Sequence, residues 1–282
     1  MLVRIVISKF GKVCDEYAKI IVNVMHECYS RLMSHDVHLV DLYLFERSSS
    51  VEALFAKERN ETGVATAPFD ELFFAMHDAW RGVSRITICL ERMNRLPELV
   101  SVGGIRHEVG HSVLHGSLQY YLLPFSPSLF DAANRFNFTS EYSRNLLYLV
   151  SIAVKDYEVT RLLYQHGYVE DQAAYAKFLL KISEDDISAW KISEGKPLLE
   201  ALCLISHLKA AGCAAPLLAD KKFGEELRQK MDESLRHLPA DCANVFLKVV
   251  EDGFTSMGTD TLNNIDILIR KCAMIFDAVS NR

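Results

Sequence analysis

Apolar and polar residues follow two different periods in the first hundred positions. Stretches that alternate at every second residue, and that are rich in β-branched and aromatic side chains, predict strands at 3–8, 37–45 and 83–91. Stretches with apolar residues three and four positions apart predict amphipathic helices at 15–33, 51–59 and 69–80. The pattern therefore predicts a small sheet interleaved with helices in this part of the chain.

Beyond position 95 nearly the whole chain has a helical period. We predict helices at 98–116, 140–166, 169–182, 197–211, 220–236, 240–252 and 260–279. Two prolines predict a loop at 123–129, and the acidic stretch at 183–186 predicts a helix start with Ser183 as its cap. The predicted class is α+β, a small mixed sheet followed by a mostly helical C-terminal half. Gly167 suggests a division into 1–167 and 168–282, with one compact unit as the alternative.

Charge and cysteine content narrow the class of protein. The net charge is −6, which argues against a general nucleic-acid binder, because neutralising phosphates requires a basic surface. The N-terminus lacks the long apolar segment of a signal peptide, and the apolar stretch at 146–154 is too short to span a bilayer. Seven cysteines without a C-x-x-C pair are typical of reduced thiols. These features predict a cytoplasmic protein without a membrane or nucleic-acid partner.

One stretch carries candidate chemistry, residues 103–116, which read GGIRHEVGHSVLHG. On a helix, His107 and His111 lie on the same face, and two imidazoles can bind one zinc ion. Glu108 follows His107 by about 100° round the helix, where it can take a proton from a metal-bound water. Gly110 weakens the helix, which indicates that another group approaches the backbone there. The spacing therefore predicts a catalytic metal site.

The HEVGH motif, on a helix that follows a short sheet, resembles the zincin metallopeptidases. The following SVLHG is similar to the active-site helix of gluzincin-like families. The resemblance implies that His107 and His111 bind Zn²⁺, that Glu108 is the general base, and that a later helix supplies a third ligand. The metzincin extension is absent. His115 lies one turn beyond His111 and about 40° further round the helix, so we interpret it as a cap or as a support for a ligand.

The predicted helix at 140–166 offers candidates for the third ligand. Asp156 lies in the middle of its apolar face, where a carboxylate must be paired, hydrogen-bonded or bound to a metal. Glu158 points elsewhere, and its simplest interpretation is a solvated face with an ion pair to Arg161. Glu141 is a third, weaker candidate.

The zincin resemblance bears on the same choice. Several zincins carry E-x-x-A-D on the ligand helix, and the stretch D-Y-E-V-T-R matches that pattern with Asp156 at the ligand position. The departures are an aspartate in place of a glutamate, and Thr160 in place of the second acid. Asp156 is therefore the first choice for the third ligand, and Glu158 is the second.

The leading hypothesis is a zinc-dependent hydrolase of peptide or protein substrates, in which Glu108 deprotonates a metal-bound water. The alternative is a catalytically inactive protein of the zincin fold that acts as a binding or regulatory module. In the first case we expect the strand at 83–91 to form the sheet edge to which an extended substrate adds. Candidates to polarise a substrate carbonyl are Tyr157, Tyr164 and His166.

Overall fold

The computed structural model describes residues 3–32, 34–62 and 73–282 and confirms the α+β class. The chain divides into two compact units. The first comprises Met1–Leu122 and Gln165–Tyr175, and the second comprises Leu123–Tyr164 and Ala176–Arg282. The predicted boundary at residue 167 therefore falls inside a short segment of the first unit.

The first unit contains the sheet. Its elements in chain order are β1 (Arg4–Phe10), α1 (Asp15–Arg31), β2 (Leu39–Phe45), α2 (Ser48–Thr62), β3 (Ala75–Asp78), β4 (Ser84–Cys89), α3 (Leu90–Met93) and α4 (Glu98–His115). The strand order is β1-β2-β4-β3. β1, β2 and β4 are parallel, and β3 is antiparallel to β4. The sheet is therefore mixed, as predicted.

The helix predicted at 69–80 is wrong for its described part. Residues 69–72 lie outside the described residues, and Ala75–Asp78 form β3. Hydrogen bonds to β4 hold β3 in place, and the spacing of apolar residues along one segment does not show that a partner strand is present. This explains the error. An ion pair between Asp78 and Arg85 joins the two strands as well.

The strand predicted at 83–91 exists as β4, but it is not a sheet edge. It lies between β2 and β3, and all six of its residues are buried. Arg85 is buried because Glu58 and Asp78 pair with its guanidinium. The expectation that a substrate adds to β4 is therefore wrong, and among the described strands β3 is the terminal one on that side.

The second unit is helical. It contains α5 (Pro127–Phe136), α6 (Ser140–Gln165), α8 (Glu184–Ser193), α9 (Pro197–Ser206), α10 (Leu208–Ala214), α11 (Gly224–Ser234), α12 (Ala240–Thr255) and α13 (Thr261–Ser280). α7 (Glu170–Leu179) begins in the first unit and ends in the second. Ser183 caps α8 through a capping box with Asp186, as predicted.

Two details of this unit differ from the prediction. The loop predicted at 123–129 ends at Ser126, because Pro127 occupies the first turn of α5, where proline is tolerated. The single helix predicted at 197–211 is two helices, with His207 between α9 and α10. The stretch Pro197–Leu217 is long and apolar enough to cross a bilayer. Half of its most apolar part is buried inside the protein, and α9 packs against α8, α12 and α13.

Candidate metal centre

α4 carries the HEVGH motif in its second half. Glu98 lies in the first turn, where its charge is favourable at the positive end of the helix dipole. The helix ends before Gly116, where a side chain would lie 2.3 Å from the carbonyl oxygen of Ser112. The predicted helix at 98–116 is therefore confirmed, and the motif lies on a regular helix.

Two glycines one turn before the motif allow other groups to approach the α4 backbone. A Cβ atom on Gly103 would lie 2.5 Å from the carbonyl oxygen of Asp171, and one on Gly104 would lie 2.4 Å from the ring of Phe74. Both glycines are also close to the side chain of Tyr175, whose ring centroid is 5.2 Å from that of His107. The close approach thus packs Phe74 and Tyr175 around the start of the motif.

The two motif histidines are neighbours on α4. The ring centroids of His107 and His111 are 4.8 Å apart, with an angle of 78° between the ring planes. His107 is 1% exposed and Glu108 is 5% exposed, while His111 is half-buried. The structure therefore brings His107 and His111 together on α4, as the spacing predicted.

His115 contacts the second motif histidine. The Nδ1 atoms of His111 and His115 are 3.3 Å apart, so one of these two rings donates a hydrogen bond to the other. His115 is buried, and its ring packs edge-on against Tyr120 with centroids 5.1 Å apart. A hydrogen bond at Nδ1 of a metal-binding histidine fixes its tautomer and leaves Nε2 for the metal. The geometry is that of a support for His111.

A second pair of polar side chains lies beside the motif and has no counterpart in the sequence prediction. The ring of His77, on β3, is parallel to that of His111, with centroids 6.1 Å apart. Its Nδ1 atom lies 3.1 Å from the Tyr121 hydroxyl, and its Nε2 atom lies 3.2 Å from Ser84 Oγ. The helix predicted at 69–80 concealed His77, and no local pattern singles out Tyr121.

The negative charge of Glu108 affects the pKa of the Tyr121 hydroxyl. Burial raises the pKa of this hydroxyl, and the negative charges of Asp78 and Glu108 raise it further. Tyr121 therefore stays protonated, and its hydroxyl hydrogen can be donated in a hydrogen bond.

Ion pairs and hydrogen bonds hold α4 in the first unit. Arg106 donates to Asp171 and to Glu27, both at 3.0 Å. Gln172 donates to the carbonyl oxygen of Gly103 at 2.9 Å, and the Tyr168 hydroxyl donates to Glu27. These contacts fix the helix to α1 and to the segment 165–175, which belongs to the first unit despite its distance along the chain.

Asp156, the predicted third ligand, lies on α6 in the second unit. Its side chain is 4% exposed, as expected for a carboxylate on the apolar face of the helix. Within this unit its carboxylate lies within 4.8 Å of Sγ of Cys213, on α10, which is also buried. Burial lowers the pKa of the adjacent Lys155, and the charges of Asp156 and Glu158 oppose this shift.

Glu158, the second choice for the third ligand, is buried rather than solvated. Its two carboxylate oxygens accept hydrogen bonds from Thr261 Oγ1 at 2.8 Å and from Asn264 Nδ2 at 2.6 Å. Arg161 instead donates to the carbonyl oxygens of Met257 and Gly258. The interpretation of a solvated face with a Glu158–Arg161 pair is therefore wrong, because the start of α13 covers this side of α6.

The remaining candidates have other surroundings. Glu141 is exposed in the first turn of α6, and His166 is half-buried. Tyr157 stacks on Phe254 with ring centroids 4.9 Å apart. The Tyr164 hydroxyl donates to Asp220 at 3.3 Å.

Imidazole nitrogen is a common zinc ligand, and the adjacent His107 and His111 provide two such nitrogens on α4. Comparisons of the chain with models of protein families, with curated proteins and with solved structures find no match.

Proposed function

We propose that this chain is a zinc-dependent hydrolase of peptide or related amide bonds, with the ligand arrangement of the zincins. The observation that carries the proposal is the geometry of α4. His107 and His111 are adjacent on this helix, and the buried Glu108 lies next to the first of them. Two neighbouring imidazoles that can hold a metal, with an acid directly after the first, supply the groups that metal-assisted hydrolysis uses.

His107 and His111 would hold the zinc ion through imidazole nitrogens. The third ligand is predicted from the sequence as Asp156, with Glu158 as second choice. Both carboxylate oxygens of Glu158 already accept hydrogen bonds, from Thr261 and Asn264, and a metal at Glu158 would compete with these donors. A bound zinc ion would supply Lewis acidity, which polarises a carbonyl and makes water more acidic.

Glu108 would act on the attacking water. A carboxylate placed next to a metal-binding histidine can accept a proton from water and return it to the leaving amine. His115 would keep His111 in one tautomer through the contact between their Nδ1 atoms. The Tyr121 hydroxyl lies 3.1 Å from His77 Nδ1, and in the tautomer in which His77 is the donor the phenol hydrogen is available to a substrate oxygen.

β3 supports the choice of an extended peptide as substrate. It is the terminal strand of the described sheet, and the strand order gives it β4 as its neighbour. A terminal strand can pair with an extended peptide through backbone hydrogen bonds. His77 lies on β3 and its ring is parallel to that of His111, so a peptide on this strand would run close to the motif.

Metal analysis tests this proposal. Protein purified without chelator should contain about one zinc per chain. His107→Ala should lose it, whereas His38→Ala, a change of an exposed histidine of the first unit, should keep it. Protein that contains no metal and takes up none would contradict the proposal, and it would favour an inactive, partner-binding protein of this fold.

A further inference from the structure

The second unit places a buried thiol beside the predicted third ligand. Asp156 is 4% exposed and Cys213 is 1% exposed. The donor atoms of these two side chains lie within 4.8 Å of one another, although the residues belong to different helices, α6 and α10. A thiol and a carboxylate are thus neighbours in the interior of a helical unit.

A close helix–helix contact produces this juxtaposition. A Cβ atom on Gly212 would lie 2.5 Å from the carbonyl oxygen of Ala153, so only glycine allows α10 to approach α6 at this point. Ala153 lies one helical turn before Asp156. The residue that follows Gly212 is Cys213, and the contact therefore fixes its sulfur close to the turn that carries the carboxylate.

The pair has the chemistry of a metal-binding half-site. Thiolate sulfur and carboxylate oxygen are both zinc ligands, at about 2.3 Å and about 2.1 Å from the ion. Tetrahedral binding of one ion would place the two atoms about 3.6 Å apart, and they already lie within 4.8 Å of one another.

We propose that Cys213 is a metal ligand that acts together with Asp156. The presence of the metal rests on the proposed function, and the assignment of the sulfur is new. The pattern along the chain does not predict this role, because Cys213 has no second cysteine or histidine at metal-binding spacing around it.

Cobalt substitution of the full-length chain tests the assignment. The reduced protein is freed of metal and titrated with Co²⁺ alone, without substrate. A cobalt–thiolate bond gives an intense charge-transfer band in the near ultraviolet, whereas nitrogen and oxygen ligands give only weak visible bands. We expect the band in the wild type, and we expect Cys213→Ser to lose it and to bind Co²⁺ at least about tenfold more weakly.

Cys272→Ser is the matched control. Cys272 is also buried in the second unit, and burial alone raises the pKa of its thiol. This variant should retain the band, so that loss in Cys213→Ser alone identifies the sulfur. Should Cys213→Ser fail to fold, X-ray absorption of the zinc-loaded wild type decides the question, because a thiolate ligand adds sulfur at about 2.3 Å.

The outcomes separate this inference from the proposed function. Cobalt that binds without the charge-transfer band, or zinc without a sulfur neighbour, would overturn the role of Cys213 and leave the hydrolase proposal standing. A band that survives in Cys213→Ser would also overturn it. A wild-type chain that binds neither metal would overturn both.

Discussion

α4 and α6 are both long helices with buried acids, but their acids have different surroundings. On α4, Glu108 directly follows His107, the first of two neighbouring imidazoles, and its charge raises the pKa of the Tyr121 hydroxyl. On α6, Glu158 accepts hydrogen bonds from a hydroxyl and an amide of α13. Glu108 thus shares its helix with two candidate metal ligands, whereas the contacts of Glu158 hold two helices together.

The two helices also differ in how many residues of the chain separate each acid from the groups associated with it. The histidines that define the candidate site on α4 lie within nine consecutive positions, 107–115. The donors to Glu158 are separated from it by 103 and 106 residues. When the groups associated with a helical acid lie close to it in sequence, its role can be predicted from residue spacing. When its partners lie a hundred residues away, the spacing gives no such prediction. The same residue type therefore needs different evidence in the two regions.

The sharpest test of this contrast is Glu108→Gln, for which we expect the largest effect. If Glu108 is the proton acceptor, hydrolysis of a peptide library should fall by about 10²–10⁴-fold, because an amide cannot take up the proton. Zinc content should stay unchanged, since the ligands are intact. Hydrolysis at the wild-type rate in this variant would rule out Glu108 as general base.

Glu158→Ala should change stability instead of chemistry. The substitution removes both acceptors from the buried donors Thr261 and Asn264, and we expect it to lower the free energy of unfolding by about 2–4 kcal/mol. Urea denaturation measures this change. Glu141→Ala, on the exposed first turn of the same helix, should stay within about 0.5 kcal/mol of the wild type. Zinc loss from a fully stable Glu158→Ala would instead make Glu158 the third ligand.

Much of the fold was open to prediction because its signals are local. The helical period located α1, α4, α6 and α13 to within a few residues, and the two histidines of the HEVGH motif were placed on one helix face. β3 was not, because four residues are too few to establish a period and its stabilisation comes from β4. Missing β3 also hid His77.

The unpredicted parts of the candidate site share a cause. His77 and Tyr121 meet across different elements, and Cys213 reaches Asp156 only because Gly212 allows two helices to approach. A helical projection assigned Glu158 to a solvated side, although α13 covers that side. Each case depends on tertiary packing, which one sequence does not display.

Substitution of His115 tests whether the residues that support the candidate site also lie close to it in sequence. His115→Phe keeps an aromatic ring against Tyr120 but removes the Nδ1 partner of His111. We expect zinc affinity to fall by about 10–100-fold, as for other groups that orient a metal-binding histidine. Competition with a chromophoric chelator measures the affinity. His115→Gln, which offers an amide oxygen, should recover part of the loss, and equal affinity in all three proteins would exclude the supporting role.

The smallest expected effect concerns a remote contact of α4. Ser112 Oγ donates to the carbonyl oxygen of Val109, so the 2.6 Å contact with Tyr29 must use the tyrosine hydroxyl as donor. Tyr29→Phe should therefore lower the free energy of unfolding by about 1 kcal/mol while zinc content stays at the wild-type value. Zinc loss in this variant would show that remote packing controls the α4 site as well, and the contrast between the two helices would then fail.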